Sequence, residues 1–146
     1  MAIDVKMATR YFLYSYAIAS LLNECAGVKK VSGTSMRPTL EPNDVILTRK
    51  VFGDFKRNTI YVFQSPESVG SFLIKRVVAL EGDKVQYKDE NGEFHTLDVP
   101  RGHCWIEGDN NPCSKDSRAF GPISASLVDK QASLIIWPFA KIGFVQ

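Results

Sequence analysis

Ser71-Phe72-Leu73-Ile74-Lys75-Arg76-Val77-Val78-Ala79-Leu80 is a long apolar run interrupted by two adjacent cations. Read as a β-strand, it has two faces under period-two alternation. Phe72, Ile74, Arg76, Val78 and Leu80 share one face, and Ser71, Leu73, Lys75, Val77 and Ala79 share the other. The run stops at the turn Glu81-Gly82-Asp83. Lys75 therefore sits among apolar neighbours on its own face. It either snorkels to water or is held partly dry. Held dry, its pKa falls from about 10.4, because desolvation disfavours the ammonium. A neutral amine near neutral pH can take a proton from a hydroxyl. Pattern alone favours the plainer account, in which a strand lysine marks an edge or snorkels.

The surrounding chain has the same texture. Asp44 to Arg49 and Thr59 to Phe63 are β-rich and are bounded by the turn residues Pro42-Asn43 and Ser65-Pro66. Lys84 to Tyr87 and Phe94 to Leu97 flank Asp89-Glu90-Asn91-Gly92, a hairpin signal. His103 to Ile106 and Ala132 to Trp137 complete the set. With no repeat or low-complexity tract, this predicts a compact, mostly β domain behind one N-terminal helix.

Composition limits the function classes. The 146 residues fit one domain with a real core, and a net charge of +2 gives no broad basic surface for nucleic acid. Cys25, Cys104 and Cys113 form no CxxC pair and read as free thiols; Cys104 and Cys113 would bridge only if the chain folds back between them. His95 and His103 lie in no metal-binding pattern, so no zinc site is expected.

From Tyr11 to Val28 the only ionisable side chain, tyrosines and a cysteine aside, is Glu24. The segment is just long enough for a membrane-spanning helix, and Tyr11, Tyr14 and Tyr16 suit an interface. The alternative is an amphipathic helix packed on the domain or lying in the interface plane. Lys6 and Arg10 before it and Lys29 and Lys30 after it leave its orientation open. Residues 1–28 thus read as a membrane-anchor segment and residues 29–146 as the folded domain.

Two polar stretches remain. Ser32-Gly33-Thr34-Ser35-Met36-Arg37-Pro38-Thr39-Leu40 places one hydroxyl between a glycine, read here as a tight turn, and a proline that disfavours helix at Arg37. Gly108-Asp109-Asn110 through Ser114-Lys115-Asp116-Ser117-Arg118-Ala119-Phe120-Gly121-Pro122 is dense in groups that tie turn backbone, with Asp116 and Arg118 able to pair. Either could be an ordinary exposed loop.

Together, the serine loop, the Ile74-Lys75-Arg76-Val77-Val78-Ala79-Leu80-Glu81-Gly82-Asp83 strand and the Gly108–Pro122 loop resemble the boxes of type I signal peptidases, in order and spacing. Val99-Pro100-Arg101-Gly102-His103-Cys104-Trp105-Ile106-Glu107-Gly108-Asp109-Asn110 and Ile136-Trp137-Pro138 resemble mitochondrial inner membrane peptidase subunits in particular. The resemblance implies a membrane-anchored Ser/Lys endopeptidase that removes sorting peptides from precursor proteins. It implies Ser35 as nucleophile and Lys75 as general base. Ser114 would orient the lysine, Asp116 and Arg118 would brace the site, and Met36 would line the substrate cleft. No metal or cofactor is implied. The implied setting is the mitochondrial inner membrane, with the domain facing the intermembrane space beside a sister subunit.

Two departures from the family pattern stand out. Gly33 occupies the place where bacterial relatives often carry an oxyanion-stabilising hydroxyl, so a substitute donor is expected. Arg57-Asn58 replaces the usual Gly-Asp before an early strand. Two rival readings remain: a self-cleaving repressor-type Ser/Lys protease, for which the first 30 residues hold no helix-turn-helix domain, and a catalytically silent precursor-binding or scaffolding subunit.

Overall fold

The computed structural model describes residue 7 and residues 9–16, 26–51, 54–89 and 91–146. Residues 9–16 form helix α1, whose aromatic side chains Tyr11, Phe12, Tyr14 and Tyr16 are exposed. Among the described residues, no helix is long and apolar enough to cross a membrane. Residues 17–25, the middle of the expected anchor, lie outside the described residues. Ala26, Gly27 and Val28, at the end of the expected anchor, belong to strand β1 (Ala26–Lys30). That strand pairs with β2 from Ala26 to Lys30.

The remaining strands are β2 (Val45–Lys50), β3 (Thr59–Gln64), β4 (Phe72–Leu80), β5 (Lys84–Lys88), β6 (Phe94–Asp98), β7 (His103–Glu107), β8 (Ile123–Ser124), β9 (Val128–Trp137) and β10 (Gly143–Phe144). A four-residue helix, α2 (Ser117–Phe120), precedes β8. The fold is mostly β, as expected.

One sheet runs β1-β2-β9-β3-β4-β7-β8, with β10 also paired to β9. All of its pairings are antiparallel. The late strand β9 lies between β2 and β3, so it joins the early half of the sheet to the later one. β5 and β6 form a separate hairpin.

β3 is buried on both faces. Ile60 belongs to an apolar cluster with Val31, Met36, Leu40, Ile46, Ala132 and Ile135. Tyr61 and Phe63 point into a second cluster with Val77, Cys104, Ile106 and Ile123. The alternation expected for β4 is present: Lys75, Val77 and Ala79 are buried, while Val78 and Phe72 are exposed. Asn58 sits before β3 at φ 58°, a left-handed conformation that asparagine tolerates better than most residues. Its backbone N–H donates to Val77, so the chain turns there without a glycine.

The third apolar cluster holds the β5–β6 hairpin on the sheet. Trp105 of β7 is fully buried among Ala79, Val85 and Val99, lies 4.6 Å from the Tyr87 ring at a tilt of 47°, and donates its indole N–H to Glu107 at 2.7 Å. Trp105→Ala is expected to cost about 3–5 kcal/mol of stability, through the lost apolar burial and the cavity left behind. Chemical denaturation followed by circular dichroism checks this; a cost below about 1 kcal/mol would mean that the hairpin is held by other contacts.

Candidate active site

The serine loop and β4 meet at one point. Ser35 Oγ and Lys75 Nζ lie 2.7 Å apart in hydrogen-bond contact, although 40 residues separate them in sequence. Lys75 is 3% exposed. Burial pushes its pKa below the ordinary lysine value; Asp116 pulls it up, Arg118 pushes it down and Asp109 pulls it up, with a net lowering. A depressed amine touching a hydroxyl can accept that hydroxyl's proton.

The serine loop is clamped from three sides. Met36 is buried in the core cluster, and Leu40 N–H donates to Met36 O at 2.9 Å. Asn110 N–H donates to Ser35 O at 2.9 Å, and its side-chain amide donates to Thr34 O at 3.1 Å. Thr39 donates its hydroxyl to Asp109, which also holds Arg76 in a fork with contacts of 2.8 and 2.7 Å. Burial pushes the Asp109 carboxyl up, but Arg76 and the Thr39 hydroxyl outweigh it and hold its pKa below the carboxylate norm.

Asp116 is fully buried and forks with Arg118 at 2.9 and 2.7 Å. Its carboxylate also accepts the Gly108 N–H at 2.9 Å and caps α2 through Arg118 N–H at 3.2 Å. Burial alone would raise its pKa; Arg118, the Ser114 hydroxyl and these N–H groups reverse the sign.

The expected residues are therefore together, with one difference. Ser114 donates its hydroxyl to Asp116 at 2.6 Å, and among the described residues no hydrogen bond joins it to Lys75. A buried carboxylate is the strongest acceptor within its reach. Gly33 also differs from expectation: its φ is not positive, and a Cβ there would meet nothing within 4 Å, so no tight turn demands glycine. The Arg76–Asp109–Thr39 clamp escaped sequence reading, since Asp109 looked like a local turn residue and its partners lie 33 and 70 positions away.

A cleft of about 400 Å³ opens beside the pair, bounded by residues 29–36 on one rim and by Phe72 to Lys75 on the other, with Met36 in its lining. Of the two hydroxyls beside Gly33, Ser32 lines the cleft. Cys104 is buried and Cys113 exposed; both are free thiols, and Cys25 lies outside the described residues. His95, Asp89 and Glu93 bring ligand-type atoms within 4.8 Å of one another at the β5–β6 turn. There Asp89 accepts the backbone N–H groups of Asn91 and Glu93 and contacts His95, as a turn-forming aspartate does.

A half-buried hydroxyl thus touches a buried amine beside an open cleft, with a carboxylate–guanidinium pair close by. The chain belongs to the family described as signal peptidase, peptidase S26, whose model matches residues 5–93 and 89–137. It is 39% identical over 125 residues to mitochondrial inner membrane protease subunit 1 of Mus musculus, covering 82% of this chain and 75% of that protein. It is 38% identical over 136 residues to mitochondrial inner membrane protease subunit 2 of the same organism, covering 88% and 77%. A solved signal peptidase I from Enterococcus faecalis V583 aligns with a TM-score of 0.48 at 26% identity, over 56% of this chain and 98% of that one.

Gly108 is the tightest point of the site. A Cβ there would collide with the Ser114 side chain and the Ser35 carbonyl. Its φ lies outside the left-handed region, so crowding alone sets the effect. Gly108→Ala is expected to cost about 1–3 kcal/mol of stability and to separate the Ser35 loop from the Asp116 loop. Denaturation midpoints check the first, and loss of peptide cleavage with the fold retained checks the second.

Proposed function

We propose that this chain is a membrane-attached serine endopeptidase that removes sorting peptides from precursor proteins through Ser35 and Lys75. The observation that carries the reading is the 2.7 Å contact between a 3% exposed lysine amine and a cleft-lining hydroxyl.

Lys75, neutral, takes the Ser35 proton as Oγ attacks the scissile carbonyl carbon. The tetrahedral oxyanion lies against the Ser35 N–H, which forms no hydrogen bond among the described residues. The Ser32 hydroxyl is the neighbouring group placed to serve as a second donor. The Lys75 ammonium then protonates the departing amine, and the C–N bond breaks to leave an acyl ester on Ser35. Lys75, neutral again, takes a proton from water, whose oxygen attacks the ester and frees Ser35. Ser114 acts through Asp116, holding the carboxylate that braces the loop.

An extended substrate fits the cleft. From Phe72 to Lys75, β4 pairs with β3 on one edge, and its pairing with β7 begins only at Arg76. β1 is the outermost strand of its sheet. Both rims thus leave backbone groups for a peptide strand. Small side chains one and three residues before the cut follow from family likeness. Membrane attachment is supported by the exposed aromatics Trp137, Phe139 and Phe144, together with those of α1. Similarity to the two mitochondrial subunits supports placement at the mitochondrial inner membrane, facing the intermembrane space, beside a sister subunit.

Cleavage of a precursor peptide by the full chain in detergent tests the reading. Ser35→Ala and Lys75→Met are each expected to lose activity by about 10³-fold or more. Retained cleavage in either would remove the pair from the mechanism. Cleavage by neither wild type nor variants, with the sister subunit present, favours a silent precursor-binding subunit.

The pH profile supplies a second check. Activity should rise with pH as the Lys75 ammonium loses its proton, along a limb centred below the ordinary lysine pKa. Arg118→Gln removes a charge that lowers this pKa and leaves Asp116, which raises it, without its guanidinium. Its limb should therefore move to higher pH; a shift to lower pH would contradict this electrostatic account.

A further inference from the structure

The rim of the cleft away from the Ser35–Lys75 contact carries two lysines that the mechanism does not use. Lys29 and Lys30 end β1 and line the cleft. No aspartate or glutamate lines it. Among the described residues, neither lysine forms an ion pair, whereas Lys84, Lys115 and Lys141 each have a carboxylate partner. Lys29 is not loose: its ammonium lies 3.6 Å from the centroid of the Phe72 ring, on the opposite rim. That contact fixes a cation at the cleft's far end while leaving its hydrogen-bond donors without an acceptor.

The spacing converts this into a position on a substrate. Phe72 precedes Lys75 by three residues on one extended strand, about 10 Å at the usual rise. A peptide strand in the cleft advances at the same rate. Its fourth or fifth residue before the scissile bond therefore reaches the Lys29–Lys30 end.

We infer that Lys29 and Lys30 form a specificity subsite for a carboxylate, selecting precursors with an acidic residue four or five positions before the cut. This rests on the proposed peptidase reading, which puts the N-terminal side of the cut in the cleft. An acidic side chain there would meet the Lys29 ammonium, with Lys30 adding positive charge beside it and no competing anion from the cleft wall. A lysine at the same position would meet like charge.

Otherwise identical peptides carry Glu, Gln or Lys at each of these two positions. The full chain in a neutral detergent should cleave the best Glu peptide about three- to fivefold more efficiently than its Gln counterpart at low salt. The advantage should shrink as ionic strength rises. It should vanish in Lys29→Gln/Lys30→Gln and invert toward the Lys peptide in Lys29→Glu/Lys30→Glu. An equal Glu-to-Gln ratio in wild type and the double glutamine variant would overturn the subsite. Fluorescence anisotropy of the same peptides on Ser35→Ala reads the preference without cleavage. A protein that binds Glu peptides selectively yet cuts none would sink the catalytic reading and leave the subsite standing. One that cuts without discriminating would do the reverse.

Discussion

A lysine amine taken out of water holds its proton less firmly unless it finds a counter-charge, and burial is the largest influence on Lys75, lowering its pKa. Two carboxylates lie near enough to matter, and each would favour the ammonium. Both are already committed. Asp116 is forked to Arg118 and Asp109 to Arg76. The Arg118 guanidinium offsets part of the Asp116 field, and desolvation remains the largest influence on the amine. Breaking either fork would leave a carboxylate with its negative field unopposed, which costs more than the pair contributes when intact. Arg118 therefore acts on proton affinity at a distance, as well as on loop geometry.

Those same forks set the positions of the two loops. Asp109 ties the end of the serine loop to β4 through Thr39 and Arg76. Asp116 ties Gly108 to α2 and Ser114. Asn110 then reaches across to the Ser35 carbonyl. One short segment, residues 108–118, thus fixes both the hydroxyl and the electrostatic surroundings of the amine. That concentration explains why Gly108, Asp116 and Ser117 are buried in a polar loop with no periodic pattern.

The long strands were legible because alternation and turn residues mark them: β2 to β7 and the second half of β9 lie where the pattern puts them. β1 was not, since Ala26-Gly27-Val28-Lys29-Lys30 has neither β-branched density nor alternation, and only pairing with β2 makes it a strand. The two-residue strands β8 and β10 are too short to carry a period. Lys75 on a buried face followed from period two. Its contact with Ser35 did not, because no local pattern reports a meeting across 40 residues; the ordered family boxes supplied that expectation. The Ser114 hydrogen bond went elsewhere than expected, for a reason visible only in three dimensions: Asp116 lies buried beside it.

The strand order has a consequence for when the site can exist. Ser35 follows β1 in the early part of the sheet, and Lys75 lies on β4 in the later part. Within the sheet the two parts meet only through β9, which spans Val128–Trp137. A growing chain emerging from the ribosome holds both residues long before it holds the strand that brings their halves into register. Any polypeptide truncated before β9 is, as far as the sheet is concerned, two unjoined pieces. Timing is thereby written into topology: the halves of the sheet that carry Ser35 and Lys75 are joined only when β9 has been made.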